Sequence, residues 1–74
     1  MNLETFMALY DSWNGITKVN DDNLNTIVKG RTIDIMDRQA PFHPSSSVKS
    51  YVKLFGMEVV AFGFYDDEFC VRVR

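Results

Sequence analysis

Apolar residues at Leu3, Phe6, Met7, Tyr10 and Trp13 fall at i, i+3, i+4, i+7 and i+10, the spacing of one helical face. Asn2 precedes them as a good N-cap, Glu4 sits in the first turn where the helix dipole favours an acid, and Asn14-Gly15 supplies a stop. A helix over about residues 3–13 is predicted. A short extended segment follows at residues 16–19. The cluster Asn20-Asp21-Asp22-Asn23 then reads as a turn, because these side chains bond their own backbone and tolerate left-handed geometry. Residues 24–36 are rich in β-branched side chains and predict extended structure, interrupted at Gly30. Either Lys29-Gly30 is a tight hairpin turn or Gly30 is a bulge in one bent strand, and the pattern leaves both open.

Residues 37–47 break the periodicity with Pro41, Pro44 and three consecutive serines, which predicts a flexible surface loop. Ser46 or Ser47 is placed to cap a second helix whose stripe is Val48, Tyr51, Val52 and Phe55 and whose stop is Gly56. The last segment predicts a hairpin turning at Asp66-Asp67. That register sets Phe64 against Phe69, Phe62 against Val71 and Val60 against Val73 on an apolar face. The other face then pairs Gly63 with Cys70, Ala61 with Arg72 and Val59 with Arg74. A slip of one residue would destroy this segregation, so the register is well specified, and the Phe/Val face is expected to pack on the helices as core. The fold class is α+β: a small, mainly antiparallel sheet of three to five strands, two helices on one face and a C-terminal hairpin, within a single domain over residues 1–74.

With 74 residues the core is small, and reinforcement by disulfide or metal is not on offer. Cys70 is the one cysteine and His43 the one histidine, too few for a structural zinc site, so neither metal nor cofactor is expected. A small core favours self-association, and residues 69–74, if they form an edge strand, offer backbone groups for a symmetric homodimer. The unpaired cysteine, the absence of a signal-like start and the shortness of the apolar run at residues 59–65 against the ~20 residues of a membrane span predict a cytoplasmic protein without membrane contact. The net charge of −2 argues against a general nucleic-acid binder.

Candidate binding residues are few. Tyr65, Asp66, Asp67 and Glu68 concentrate three acids beside an aromatic ring and suit a basic partner surface, although acids are also simply good turn formers. Trp13 is a core residue or an exposed anchor for a partner. Arg72 and Arg74, with Lys49 and Lys53, are candidate anion contacts, against the plainer reading of a strand with one wet face. Nothing in the sequence places a base beside Cys70, and Asp34 and Asp37, three apart, would fall on opposite faces of a strand, so no catalytic residue is assigned and the chain is not expected to be an enzyme.

Residues 21–35, Glu58-Val59-Val60-Ala61-Phe62-Gly63-Phe64-Tyr65-Asp66 and Cys70-Val71-Arg72-Val73 resemble small uncharacterised proteins of Gram-positive bacteria and their phages or mobile elements. The resemblance covers about half the chain and rests on strand residues. It implies a non-catalytic binding protein that occludes a host protein, such as an effector of CRISPR defence. The alternative is an oligomeric small-ligand binder that sequesters a nucleotide signal.

Overall fold

The computed structural model describes residues 1–74 as a four-stranded mixed sheet with three short helices. The elements run α1 (Leu3–Leu9), β1 (Ile16–Asn20), β2 (Thr26–Arg31), α2 (Thr32–Met36), α3 (Tyr51–Gly56), β3 (Val59–Tyr65) and β4 (Glu68–Val73). Strand order is β2-β1-β4-β3. The two hairpins, β1/β2 and β3/β4, are antiparallel, and they join through a parallel pairing of β1 with β4. The expected α+β class is thus present, with a parallel centre that the local pattern did not announce. No helix is long and apolar enough to cross a membrane.

The core lies between the helices and one face of the sheet. Thr17 and Val19 from β1 and Phe69, Val71 and Val73 from β4 alternate inward, as strand geometry requires. Leu3, Phe6 and Met7 of α1, Ile35 of α2, and Leu54 and Phe55 of α3 pack against them. The two buried hydroxyls satisfy each other: Thr17 Oγ1 and Thr32 Oγ1 are 2.6 Å apart, and Thr32 Oγ1 also donates to the Gly15 carbonyl at 2.9 Å. This pair ties the start of β1 to the start of α2.

Several local expectations are corrected. α1 is capped as predicted, with Asn2 Oδ1 accepting from Thr5 N at 2.9 Å, but its regular part ends at Leu9, and Tyr10 and Trp13 follow in turns. Gly30 is neither a hairpin turn nor the bulge. It lies within β2, where a Cβ would meet that of Ala40 at 3.2 Å, so its smallness lets residue 40 pack on the strand. The bulge is at Ile27, the extra residue between the pairs Val19–Val28 and Asn20–Thr26. Residues 32–36 form a helix despite their β-branched side chains, because Thr32 is anchored at its base and a Schellman motif closes its end. Gln39 N donates to Asp34 O at 2.7 Å and Arg38 N to Ile35 O at 3.1 Å, with Arg38 at φ 59° where glycine is usual. Asp34 and Asp37 therefore stand three apart on and just beyond a helix, not on opposite faces of a strand, and Asp34 accepts from Arg31 Nε at 3.1 Å. The second helix starts later than expected, capped by Ser50.

Residues 37–47, expected as a flexible loop with few contacts, are tied to the fold at several points. Phe42 bridges to Val28, His43 N donates to Ile27 O at 2.8 Å, and Ala40 is buried. The Phe42 ring packs on Tyr51 with centroids 4.7 Å apart, and the Tyr51 hydroxyl donates to Ala40 O at 2.6 Å.

The hairpin register is as predicted from Phe64–Phe69 through Ala61–Arg72, but Val60 is bulged, so that Val59 rather than Val60 meets Val73. The expected core face is only half correct. Phe69 is 1% exposed, whereas Phe62 is 54% and Phe64 58% exposed, because β3 is an edge strand that the helices cover incompletely. β4 is central, so the condition on which residues 69–74 would pair two copies as an edge strand is not met.

Two outcomes follow from this packing. Phe69→Ala is expected to cost about 3–5 kcal/mol, as for a fully buried ring, and Phe62→Ala less than about 2 kcal/mol, since half its surface is already wet. Urea unfolding of both variants measures the contrast. Tyr51→Phe is expected to cost about 0.5–1.5 kcal/mol at neutral pH through the lost hydrogen bond. Burial, and then the charge of Asp34, hold the Tyr51 phenol above its ordinary value of 10.0. The unfolded chain therefore ionises first, and stability present below about pH 10 falls as pH rises beyond it. Tyr51→Phe is expected to reduce that alkaline loss in melts recorded between pH 8 and pH 11.

Candidate functional site

The two edges of the sheet are treated differently. β2 carries Lys29 and Arg31, and its outer side is covered where Phe42 and His43 bond to Val28 and Ile27. Charges and covering segments are the usual protection of a strand edge. β3 is covered only at its start, where Val59 N donates to Met1 O at 3.0 Å, Asn2 bridges to Glu58, and Leu3 N donates to Met57 O at 2.9 Å. From residue 60 to residue 65 no backbone bond is made on the outer side. This stretch, Val60-Ala61-Phe62-Gly63-Phe64-Tyr65, has no charged side chain and no proline.

Aromatic side chains line the inner side of this edge. Phe62 packs on Phe6 and Tyr10 with centroids 5.0 and 5.9 Å apart. Phe64 meets the edge of Trp13 at 5.0 Å and lies 4.9 Å from Phe69. Trp13 is half-buried; its Nε1 donates to Ile16 O at 3.2 Å, and its ring lies over Gly15, leaving no space for a Cβ there. Trp13 is therefore a buttress behind Phe64 and part of the same aromatic strip.

The predicted quartet at the hairpin tip does not form one surface. Asp66 and Asp67, at φ 51° and 64°, make the two-residue turn with both central residues left-handed, which suits the twist of the strands. Tyr65 and Glu68, paired across the hairpin, project to the face without helices. There Glu68 is neutralised by Lys29 Nζ at 2.8 Å, and the Tyr65 ring lies over Gly63, where a Cβ would stand 3.1 Å from it. Trp13 is on the opposite face from Tyr65.

That helix-free face holds a concavity of about 290 Å³ between β1, β4, β3 and the β1/β2 turn, lined by Lys18, Asn20, Leu24, Ala61, Tyr65, Cys70 and Arg72 together with Phe62 and Val71 of the two strands. Arg72 Nε is 4.0 Å from Asp22 Oδ1. The Cys70 Sγ has Glu68 O at 3.8 Å, while His43, on the loop beside β2, has its Nδ1 2.8 Å from Ser45 Oγ. Arg74 lies beyond the concavity, its backbone N and O both bonded to Glu58. Lys49 is on the loop, donating to His43 O and Pro44 O, and Lys53 is on α3, so the four candidate anion contacts are not brought together as one patch. No three histidine, cysteine, aspartate or glutamate side chains converge to share a metal ion.

The open edge of β3 was missed in the sequence because its Phe/Val face reads as core whether or not helices reach it. The available signal was the run of seven uncharged residues Val59–Tyr65.

At the tip, Asp67→Gly is expected to raise stability by about 0.5–1 kcal/mol, because glycine adopts positive φ without a Cβ penalty. An increased urea midpoint with unchanged slope is the expected result. Comparison with known protein families, with curated proteins and with solved structures finds no match to this chain.

Proposed function

We propose that this chain is a non-catalytic binding protein that captures a protein partner by strand addition along β3. The observation that carries this reading is the contrast between the two edges. β2 is charged and covered, whereas residues 60–65 of β3 present unpaired backbone and expose Phe62, Phe64 and Tyr65, the last at 66%. An exposed, uncharged edge strand is a liability for a free monomer and a template for pairing with another chain. In strand addition the main-chain bonds give affinity and side-chain pockets give specificity. Here Phe62, Phe64, Tyr10 and Trp13 would meet apolar side chains on one face of the added strand, and rings of this kind are favoured at interface centres. The preferred occupant is thus an extended, β-branched or aromatic segment of another protein. The partner class proposed is a host protein, such as a defence effector, whose working surface would be occluded.

The test is a charge placed on the edge. Phe64→Lys, with an unchanged circular dichroism spectrum, is expected to weaken binding to a partner isolated from host lysate at least tenfold, while Asp66→Asn leaves it within twofold. Equal binding by wild type and Phe64→Lys would refute docking along β3. Sedimentation equilibrium separates the occupants: a dimer at micromolar concentration that Phe64→Lys dissolves would identify a second copy as the added strand.

A further inference from the structure

The face of the sheet without helices has chemistry that protein docking along β3 does not use. We propose that its concavity is a binding site for a small aromatic anion, a single ring bearing one carboxylate or phosphate.

Size and shape come first. A volume of about 290 Å³ stands at the lower end of ligand sites, which run from about 300 to 1,000 Å³. It fits one ring and one charged group. The floor is made by β1 and β4, where Lys18 pairs with Cys70 and Asn20 with Arg72, all four projecting to the same side. Leu24 forms one wall, exposed and held at φ 65° in the β1/β2 turn. Ala61 and the Tyr65 ring, resting over Gly63, form the other. The two side walls are thus apolar or aromatic and the floor is polar, the usual division of a small-molecule site.

Charge decides the class of ligand. Lys29, Arg31 and Arg38 each have a carboxylate oxygen close by, at 2.8, 3.1 and 3.5 Å. The two cations of the concavity, like Lys53 and Arg74, are not held at hydrogen-bond distance by a carboxylate. Lys18 has no carboxylate partner, and Arg72 has only Asp22 at 4.0 Å, beyond hydrogen-bond reach. Neither side chain donates a hydrogen bond to any protein group. The two buried side-chain polar atoms that lack a partner, Asn20 Oδ1 and Arg72 Nε, also belong to registered neighbours on this floor. Buried polar atoms are ordinarily paired, so unmet hydrogen-bonding capacity is concentrated in one place. An anion on the Arg72 guanidinium and Lys18 ammonium, with its ring against Tyr65 between Leu24 and Ala61, meets the donor half of that capacity and the apolar walls together, whereas Asn20 Oδ1 is an acceptor and takes no part in holding it.

The test is an amide chemical-shift titration of the full chain with four probes: phenyl phosphate, benzoate, inorganic phosphate and phenol. Saturable shifts at Lys18, Asn20, Cys70 and Arg72 are expected with phenyl phosphate or benzoate, at dissociation constants at least tenfold below those for phosphate or phenol. Arg72→Gln, and independently Lys18→Gln, are expected to weaken binding at least tenfold, Asp22→Asn to tighten it, and Arg74→Gln to leave it within twofold. Phe64→Lys is expected to leave it unchanged, which separates this site from docking along β3. The proposal is overturned if neither ring-bearing anion gives saturable shifts, if phosphate alone binds as tightly as phenyl phosphate, or if binding survives both Arg72→Gln and Lys18→Gln.

Discussion

The parallel pairing of β1 with β4 is the constraint on which the other features depend. Thr17 to Asn20 run in register with Phe69 to Arg72, and this seam is the strand pairing that joins the two hairpins. It makes both strands central, so their inward residues, Thr17, Val19, Phe69, Val71 and Val73, are almost completely withdrawn from water. A parallel pair needs a long crossover rather than a tight turn. Here that connection is the whole stretch from β2 through α2 and α3 to β3. The Thr17–Thr32 hydroxyl pair, the Schellman closure after α2 and the docking of Phe42 and Tyr51 each fix a point along that path.

Once β1 and β4 occupy the centre, β2 and β3 become the edges, and the three helices must cover a sheet wider than they are long. They cover the β2 side with help from residues 40–43, and they leave the β3 side to α1 and the turns after it. The exposure of Phe62 and Phe64 is therefore a consequence of topology. So is the separation of surfaces: an apolar edge facing sideways and a cationic concavity on the open face. The two ligands proposed for them, an extended peptide chain and a small anion, would meet different surfaces that share residues of β3, Tyr65 among them. Occupation of one need not obstruct the other.

Local chemistry made several elements legible. The Asn2-capped start of α1, the Asn/Asp turn before β2, and the hairpin register from Phe64–Phe69 to Ala61–Arg72 each follow from neighbouring residues and are present as read. In that turn Asp21 Oδ1 accepts from both Asn23 N and Asn25 N, the self-bonding that such residues supply. Where the reading failed, a distant contact overrode a local preference. Residues 32–36 have strand-forming side chains, yet Thr32 is held by Gly15 and Thr17, and the turn ends on Arg38, a residue that carries no left-handed signal. Residues 37–47 have loop composition, yet Phe42 finds Tyr51 and the β2 edge.

The candidate sites divide in the same way. Tyr65 and Arg72 were singled out from the sequence for different reasons, and the structure places both on the same concavity, while Trp13 goes to the opposite face and Arg74, Lys49 and Lys53 are dispersed. Alternation along a strand determined which side chains share a face, because that depends only on the two-residue repeat of the backbone. The order of the strands, and hence which apolar face is buried and which is left at an edge, depended on the β1–β4 seam, whose partners are about fifty residues apart in the chain. The sequence by itself thus determined the elements and their faces. Only the tertiary structure decided which faces are interior and which surfaces are free to bind, because burial is settled by what packs against a residue and not by the residue's own neighbours in sequence.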